Sequence, residues 1–258
     1  MATVVVTGGT GTLGREVVTR LVARHHHPRL FCHQVPASVP ENVEVVKGDL
    51  ISGRGLREAV AGVDAIIHCA SNPQNADQVD IEGTRSLLQI AQASQAHLIY
   101  PSIVGVKHST YAYYKAKHAT EEIIEQGPLP WTIMRITQFH DLVLKIMQLF
   151  GVDSQPVVAV AGGMRFQSID AGEVADHLIL LMEQGPAGHV PDMGGPQICT
   201  FEEMTEVYLR VRNRKAVIQS KALVGDLFDA FRSGINLIPD HTEGTITWEA
   251  FLHHLYDH

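Results

Sequence analysis

The sequence contains few cysteines and no long apolar run. Its three cysteines, Cys32, Cys69 and Cys199, are widely spaced and odd in number, which argues against a disulfide framework. No run of about 18 apolar residues occurs, so the sequence predicts no membrane-spanning helix. The N-terminus shows no basic leader and has the pattern of a strand. We therefore expect a cytoplasmic protein with no membrane partner.

Positive charge and metal-binding patterns are also scarce. Twenty Lys and Arg stand against 28 Asp and Glu, which gives a net charge of −8. This balance excludes the basic surface that is typical of nucleic-acid-binding proteins. There are 15 histidines, but the sequence contains no His-Glu-x-x-His and no Cys-x-x-Cys pattern, so we expect no metal. The expected partner is a small-molecule substrate, and the oligomeric state stays open.

The stretch near the N-terminus combines a strand, a glycine-rich turn and a helix. A β-branched run over residues 3–7 leads into glycines, and residues 15–22 have apolar side chains at helical spacing. Gly8 and Gly11 allow a tight turn and close approach of a bulky anion, and Gly14 lets the helix lie against the strand. The positive end of that helix favours a pyrophosphate. The stretch predicts dinucleotide binding.

Strands and helices alternate over the first half of the chain. The predicted strands cover residues 3–7, 29–32, 43–46, 63–70, 97–100 and 131–136, and the predicted helices cover 15–22, 56–60, 83–94 and 111–125. Pro101 is expected to end the fifth strand. Strands separated by helices of this length predict βαβ units and a parallel sheet. We expect an α/β, Rossmann-type doubly wound domain over residues 1–136.

The pattern changes beyond residue 136, where a helix is predicted over 142–150 and a strand over 156–160. Thr200 and Glu203 fit a capping box. We expect a small C-terminal substrate lobe over residues 137–258, with a segment at about 166–190 packing back on the Rossmann core. Three residues after the sixth strand are expected at the substrate mouth: Gln138, Phe139 and His140.

The helix that follows the fifth strand carries candidate catalytic residues. Tyr113 and Lys117 stand four positions apart and share one helical face. A nearby ammonium lowers the pKa of a phenol, which is near 10 when free. With Ser102 hydrogen-bonding a substrate oxygen, the pair predicts carbonyl reduction beside a nicotinamide. Tyr111 and Lys115 have the same spacing, and tyrosines at helix starts often only pack, so spacing alone leaves both alternatives open.

These motifs resemble an atypical short-chain dehydrogenase/reductase of the NmrA-like type, with the extended sugar-nucleotide epimerase/dehydratase group as a wider relative. Residues 7–14 resemble that family's glycine signature. Residues 113–121 are similar to its Tyr-x-x-x-Lys-x-x-x-Glu pattern, which selects Tyr113 and Lys117 over the second pair. Many relatives carry Asn where Asp80 stands.

Two further segments extend the resemblance to the cofactor. Residues 48–50 resemble the strand end that contacts the adenine, and residues 68–71 resemble the strand end that passes the ribose and nicotinamide. The expected cofactor-binding residues are Gly8, Thr10, Gly11, Thr12, Leu13, Gly14, Arg15, His33, Asp49, Leu50, Cys69, Ala70, Ser71 and Lys117.

The choice between the two nicotinamide nucleotides depends on a missing carboxylate. NAD-binding proteins usually place one about 20 residues beyond the glycines, where it binds the ribose hydroxyls. Here no Asp or Glu occurs between Glu16 and Glu41, and the second strand is followed by His33 and Gln34. Arg15 either supplies charge for a 2′-phosphate or is a solvated helix residue. We expect NADP(H) rather than NAD(H).

The resemblance implies three functions. NmrA-like proteins include reductases of quinones and other small unsaturated or carbonyl compounds, and also nucleotide-redox sensors without turnover, which typically lack a complete Tyr–Lys pair. Because Tyr113 and Lys117 are both present, we expect an NADP(H)-dependent reductase, with the sensor as the alternative. A sugar-nucleotide epimerase or dehydratase is a second alternative, against which the missing carboxylate counts.

Overall fold

The computed structural model describes residues 1–257. The strands are β1 (Thr3–Thr7), β2 (His27–Cys32), β3 (Glu44–Lys47), β4 (Ala65–His68), β5 (His97–Ile103), β6 (Trp131–Ile136), β7 (Val157–Ala161), β8 (Arg165–Phe166), β9 (Gly188–His189), β10 (Cys199–Thr200) and β11 (Val217–Lys221). The α-helices are α1 (Thr12–Ala23), α2 (Leu56–Ala59), α3 (Gly83–Ala91), α4 (Ala112–Glu125), α5 (His140–Leu149), α6 (Ala171–Gln184), α7 (Phe201–Val211), α8 (Asp226–Ser233) and α9 (Trp248–Tyr256). A π-helix covers Asp77–Glu82, and 3₁₀ turns cover Gln92–Ser94 and Val106–His108.

The described chain forms two compact units. The first contains residues 1–102, 112–135 and 172–191. The second contains residues 103–111 and 136–171 and the chain from residue 192 onward. Each unit is therefore built from segments that are separated in the sequence.

The first unit is organised around a parallel sheet with the strand order β3-β2-β1-β4-β5-β6-β9. Neighbouring strands whose register is defined run in the same direction, beginning with β1 beside β2 and β4. Helices cover both faces of such a sheet, so its strands have nearly continuous apolar sequences. Val4, Val5 and Val6 are accordingly fully buried. This order confirms the predicted α/β doubly wound fold.

The core of the first unit lies between this sheet and its helices. Leu56, Ile66, Leu87, Leu98 and Ile133 are fully buried in one apolar cluster. Burial of each such side chain contributes about 1.5–3 kcal/mol to folding. The alternating elements predicted from periodicity are thus held together by one continuous core.

Pro101 was predicted to end the fifth strand, and this prediction is wrong. β5 continues to Ile103. The pairing of β5 with β4 ends at Ile99, so on that side the missing proline N–H removes no ladder bond. The second difference is the π-helix over Asp77–Glu82, which precedes α3 and which the sequence pattern did not predict.

The second unit contains two small sheets and a separate apolar core. β10 pairs antiparallel with β8, and β11 pairs parallel with β7. The core includes Phe166, Phe201, Tyr208 and Trp248. The capping box is confirmed: Thr200 accepts a hydrogen bond from the backbone N–H of Glu203, whose carboxylate accepts one from the backbone N–H of Thr200 in return.

Among residues 1–257, none of the helices is long and apolar enough to span a bilayer.

Candidate functional site

The turn between β1 and α1 is closely packed against the end of β4. Gly8 has φ +63°, and its carbonyl accepts a 2.9 Å hydrogen bond from the N–H of Gly11. A Cβ on Gly8 would lie 2.6 Å from the Cα of Ala70, and one on Gly14 would collide with the carbonyl oxygen of Gly8. Gly11 is the N-cap of α1 and provides no capping side chain. The first amides of α1 are therefore suited to an external anion.

A buried hydrogen-bond chain lies beneath this turn. His68 Nδ1 is 2.6 Å from Thr7 Oγ1, and His68 Nε2 is 2.9 Å from Thr84 Oγ1. Thr84 donates its proton to the carbonyl of Asp80, so it accepts from His68, which must carry its proton on Nε2. Thr7 then donates to Nδ1 and accepts from the N–H of Ala70 at 3.2 Å. Burial lowers the pKa of His68 to about 3, consistent with this neutral ring.

The π-helix places a buried carboxylate beside the end of β4. Asp80 is 1% exposed; its Oδ1 accepts a 2.6 Å hydrogen bond from Ser71 Oγ, and its Oδ2 accepts a 3.0 Å bond from the N–H of Asn72. The ammonium of Lys117 lies 3.9 Å from Oδ1. Single-turn π-helices are frequent at functional sites. Asp80 therefore joins the end of β4 to α4.

Tyr113 extends this hydrogen-bond chain from α4. Its hydroxyl lies 2.8 Å from Ser71 Oγ. Ser71 has one hydroxyl proton, and the carboxylate of Asp80 accepts it. Tyr113 must therefore donate its own proton to Ser71. The three side chains form one directed chain from phenol to carboxylate.

Burial distinguishes the two candidate lysines on α4. Lys117 is 4% exposed and donates a 3.2 Å hydrogen bond to the carbonyl of Pro101, whereas Lys115 is exposed. The Lys117 ammonium also lies 4.1 Å from the ring centroid of Tyr100. Burial lowers the pKa of Lys117, and the charge of Asp80 opposes that shift. Of the two pairs with the same spacing, Tyr113 and Lys117 are the ones joined through the buried chain.

Ser102 is buried at the end of β5, and its Oγ has no hydrogen-bond partner among the residues that the structure describes. Glu121 is fully buried on α4 and accepts two hydrogen bonds from Arg135, of 2.9 and 2.7 Å. Burial acts to raise the pKa of Glu121, but the hydrogen bonds from Arg135 outweigh it and hold this pKa below its usual value. An isolated arginine within the apolar strand β6 was the one sequence signal for this ion pair, and sequence reasoning missed it.

Comparison with known proteins decides the family. A family model described as NAD(P)H-binding matches residues 8–179, which is more than half of the chain. The chain belongs to this NAD(P)H-binding family. The family match confirms the predicted NAD(P)-binding family, while the finer NmrA-like assignment stays a prediction.

Curated relatives of this NAD(P)H-binding protein have diverse names. It is 31% identical over 156 residues to a 3-beta-hydroxysteroid dehydrogenase of Mycolicibacterium neoaurum, covering 54% of this chain and 38% of that protein. It is 28% identical to a (4-alkanoyl-5-oxo-2,5-dihydrofuran-3-yl)methyl phosphate reductase of Streptomyces griseus, covering 82% and 74%. It is also 28% identical to the photosystem II assembly factor Ycf39 of Cyanophora paradoxa, covering 67% and 56%. The chain spans about half the length or less of the first relatives it matches.

Solved structures show the same fold. An epimerase from Methanothermobacter thermautotrophicus superposes with a TM-score of 0.78 at 15% identity, covering 97% of this chain and 90% of that one. A UDP-glucose 4-epimerase from Thermotoga maritima gives a TM-score of 0.76 at 15% identity, covering 99% of both chains. At these identities the likeness concerns the fold of the NAD(P)H-binding protein, not its reaction.

The residues predicted to bind the nucleotide differ in their surroundings. The glycine turn, where a Cβ on Gly8 or Gly14 would collide with neighbouring backbone, has the close strand–helix packing that fits the pyrophosphate site of an NAD(P)H-binding protein. Arg15 and His33 are exposed, as Thr10 is, while Leu13 and Leu50 are buried.

Asp49 is fixed by local hydrogen bonds, and Cys69 is kept protonated by burial. Asp49 accepts hydrogen bonds from Ser52 Oγ at 2.8 Å and the N–H of Ile51 at 3.1 Å, and the Ser52 bond lowers its pKa. Burial raises the pKa of the Cys69 thiol to about 12, so Cys69 is a protonated thiol at neutral pH.

The residues predicted at the substrate mouth belong to the second unit. His140 is buried; its Nε2 lies 3.0 Å from the carbonyl of Ile246, which only accepts, so Nε2 carries the proton. Nδ1 then accepts from Ser168 Oγ at 2.8 Å. Both ring nitrogens are thus used inside this unit.

Gln138 and Phe139, the other two residues predicted at the substrate mouth, differ in burial. Gln138 is buried and accepts a 3.0 Å hydrogen bond from Asn236 Nδ2. Phe139 is half-buried and is the N-cap residue of α5.

One group of potential metal ligands occurs among the described residues. Oxygen or nitrogen atoms of Glu121, Glu125 and His189 lie within 4.8 Å of one another. Arg135 already binds both oxygens of Glu121, and Glu125 bonds His189 at 2.7 Å. A guanidinium beside the position of a cation opposes its binding, so we assign no metal to this group.

Proposed function

We propose that this protein is an NADP(H)-dependent reductase of a small carbonyl compound, quinone or similar unsaturated compound. The observation that carries the proposal is the pairing of Tyr113 with the buried Lys117 through Ser71 and Asp80. A nucleotide whose pyrophosphate is held at the glycine turn would supply hydride from its nicotinamide. The chain's own residues must then bind the nucleotide, hold the substrate oxygen and deliver a proton to it.

Proton delivery is assigned to the tyrosine. The phenol of Tyr113 donates to the substrate oxygen as hydride arrives at the neighbouring carbon. Lys117 supports this step because its positive charge favours the phenolate that is left behind, and we assign it the ribose hydroxyls as a second role. Ser71 lies beside the proposed proton donor because it bonds the Tyr113 hydroxyl, and the buried Ser102 Oγ, which has no hydrogen-bond partner among the described residues, stays a candidate for orienting the substrate.

The preference for NADP(H) follows from charge. An NAD site uses a carboxylate after the second strand, and none occurs between Glu16 and Glu41. The exposed side chains of Arg15 and His33 offer positive charge or hydrogen bonds to a 2′-phosphate instead.

A sensor without turnover is the second candidate. It is favoured by the likeness to photosystem II assembly factor Ycf39, whose name describes assembly. A sensor and a reductase both need the glycine cradle, but only the reductase needs the proton on Tyr113. The two candidates therefore differ in what the loss of Tyr113 does.

The first experiment titrates the protein with NADPH and NADH by fluorescence. Saturable binding, tighter for NADPH, is expected. Absence of binding to either nucleotide would overturn the reductase and the sensor together.

The second experiment follows NADPH oxidation with a panel of quinones and carbonyl compounds. Tyr113→Phe and Lys117→Ala are compared with Tyr111→Phe and Lys115→Ala, which alter the second pair of the same spacing. We expect a fall in kcat of about 100-fold or more for the first two variants only. Tight nucleotide binding with no turnover of any compound would favour the sensor, whereas turnover that the two pairs of variants lower equally would overturn the assignment of Tyr113 and Lys117.

A further inference from the structure

Strand β11 forms an open edge of the second unit. Among residues 1–257 its only neighbouring strand is β7, which runs parallel to it. Four of its five residues are exposed, and Ile218 packs partly against the core of this unit. We propose that β11 is a docking site at which an extended, acidic segment of a partner protein adds a third strand to this sheet. This inference goes beyond the proposed reductase function and does not depend on it.

The backbone of β11 offers hydrogen-bonding groups to an incoming strand. Val217 donates its N–H to the residue before β7, and the carbonyl of Lys221 accepts from the residue after β7, both at 2.9 Å. In a parallel pair alternate residues bond the same neighbour, so these two residues and Gln219 between them face β7. Ile218 and Ser220 therefore direct their N–H and C=O groups to the open edge, about 6.6 Å apart. A third strand can bond to both residues.

Positive charge is concentrated along this edge. Five of the 20 Lys and Arg of the chain lie within residues 210–221, and no Asp or Glu occurs between Glu206 and Asp226. Lys215 and Lys221 are exposed and form no ion pair with another residue of the described chain. The rest of the protein is strongly acidic, since the net charge is −8. Charge complementarity therefore favours an acidic segment as the occupant.

The two faces of this edge define where the acidic side chains of the partner belong. Val217 lies beside Val157 in the register, and the two valines are 64% and 47% exposed on the face that also carries Lys221. The opposite face carries Ser220, whose hydroxyl donates a 2.8 Å hydrogen bond to the Glu202 carboxylate. Side chains of adjacent strands meet on the same face. The partner strand should therefore place an acidic residue opposite Lys221 and an apolar one opposite Val217.

A second copy of the chain fits this edge less well. Antiparallel pairing of two β11 strands about Gln219 would place Lys221 of one copy opposite Val217 of the other. It would also bring two equally basic segments together, and like charges across an interface oppose binding. The same lysines that attract an acidic strand therefore disfavour self-association.

The first test measures binding of an end-capped, fluorescein-labelled peptide, Glu-Thr-Glu-Thr-Val-Thr-Glu, to the full chain by fluorescence polarisation. Saturable binding is expected. The double variant Lys215→Glu/Lys221→Glu should raise the Kd about tenfold or more. Lys47→Glu/Lys107→Glu makes the same change of charge at two exposed lysines elsewhere and should alter the Kd less than about twofold. Absence of saturable binding, or equal effects of the two double variants, would overturn the proposal.

The second test examines the backbone pairing by amide hydrogen exchange. Saturating peptide should slow exchange at Ile218 and Ser220 about tenfold or more, and should leave Val217 and Gln219, which already face β7, nearly unchanged. Uniform slowing along β11, or no slowing, would refute strand addition.

Ser220→Pro removes one N–H from the open edge and should abolish peptide binding, whereas Ser220→Ala keeps that N–H and should bind like the wild type. A peptide N-methylated at its threonines removes the donors from the other side and should not bind, which gives the same test on the unaltered protein. Binding of this peptide as tight as that of its parent would contradict the proposal.

Two further measurements would reveal a different occupant. Sedimentation equilibrium should give the same mass for the wild type and Ser220→Pro; a dimer that is lost in Ser220→Pro would assign the edge to a second copy. Vesicles that contain phosphatidylglycerol should not bind the protein. Vesicle binding that is lost in Lys215→Glu/Lys221→Glu, without peptide binding, would assign the basic segment to a membrane. Neither measurement needs nucleotide or turnover, so failure here is distinct from failure of the reductase function.

Discussion

Arg135 on β6 holds Glu121 on α4 through two hydrogen bonds, of 2.9 and 2.7 Å. Glu121 is fully buried and lies one turn beyond Lys117 on the same helix. A bidentate guanidinium–carboxylate pair fixes both position and orientation. The ion pair therefore sets how α4 lies on the sheet, and with it the placement of the residues proposed to act on the nucleotide and substrate.

Arg135→Met should destabilise the protein by about 3–5 kcal/mol, because it leaves the Glu121 carboxylate buried without its partner. Urea unfolding measures this change. Arg210→Ala removes an exposed ion pair with Glu249, which solvent screens, and should change the stability far less than Arg135→Met does. Equal effects of the two substitutions would contradict the role assigned to Arg135.

Glu121 should also make stability fall in acid. Its pKa in the folded protein lies below the usual 4.5, so its contribution is present above that pH and is lost as the pH falls through the folded value. Urea unfolding between pH 7 and pH 3 should show a steeper decline for the wild type than for Glu121→Gln. Glu122→Gln, on the exposed side of the same helix, should decline like the wild type.

His68 should remain neutral with its proton on Nε2. Burial lowers its folded pKa to about 3 from 6.5, so the folded state binds fewer protons and stability falls as the pH drops from about 6.5 toward 3. Nitrogen-15 NMR of the imidazole distinguishes the two tautomers and the imidazolium. An imidazolium signal for His68 at pH 6 would refute these hydrogen-bond directions.

Gly14→Ala should weaken NADPH binding about tenfold or more, because a Cβ there meets the carbonyl of Gly8 and lies 2.6 Å from the Cα of Gly9. Fluorescence titration gives the Kd, and circular dichroism checks folding. Gly62→Asn is the control, since space around Gly62 is open and Asn tolerates its φ of +64°. Unchanged NADPH affinity in folded Gly14→Ala would place the nucleotide elsewhere.

Nucleotide preference should respond to two substitutions in opposite ways. Arg15→Ala should raise the Kd for NADPH about tenfold and leave that for NADH unchanged, because only NADPH carries the 2′-phosphate. Gln34→Asp supplies the missing carboxylate and should tighten NADH binding. Arg57→Ala, an exposed arginine on α2, controls for net charge. If the three variants change both affinities in parallel, the assignment of Arg15 to the phosphate is wrong.

The sequence by itself determined the order of secondary-structure elements and the local motifs of this protein. The bounds of β1 and β6, the alternation of strands and helices, the glycine turn and the Thr200–Glu203 capping box all follow from residues close together in the chain. Periodicity, backbone freedom and capping are local effects, so a sequence expresses them directly. The family assignment depends on the same local motifs.

Only the tertiary structure decided how the site is assembled. Ser71 and Tyr113 are hydrogen-bonded although 42 positions separate them in the sequence, and Glu121 and Arg135 are separated by 14 positions. No local sequence pattern encodes contacts at such separations. Lys115 and Lys117 lie two positions apart, about 200° around the helix, so one is buried when the other faces solvent. The spacing of four residues did not distinguish the Tyr111–Lys115 pair from the Tyr113–Lys117 pair. Packing of α4 on the sheet buried Lys117 beside Asp80, because a helix has one face to bury and its contacts choose that face.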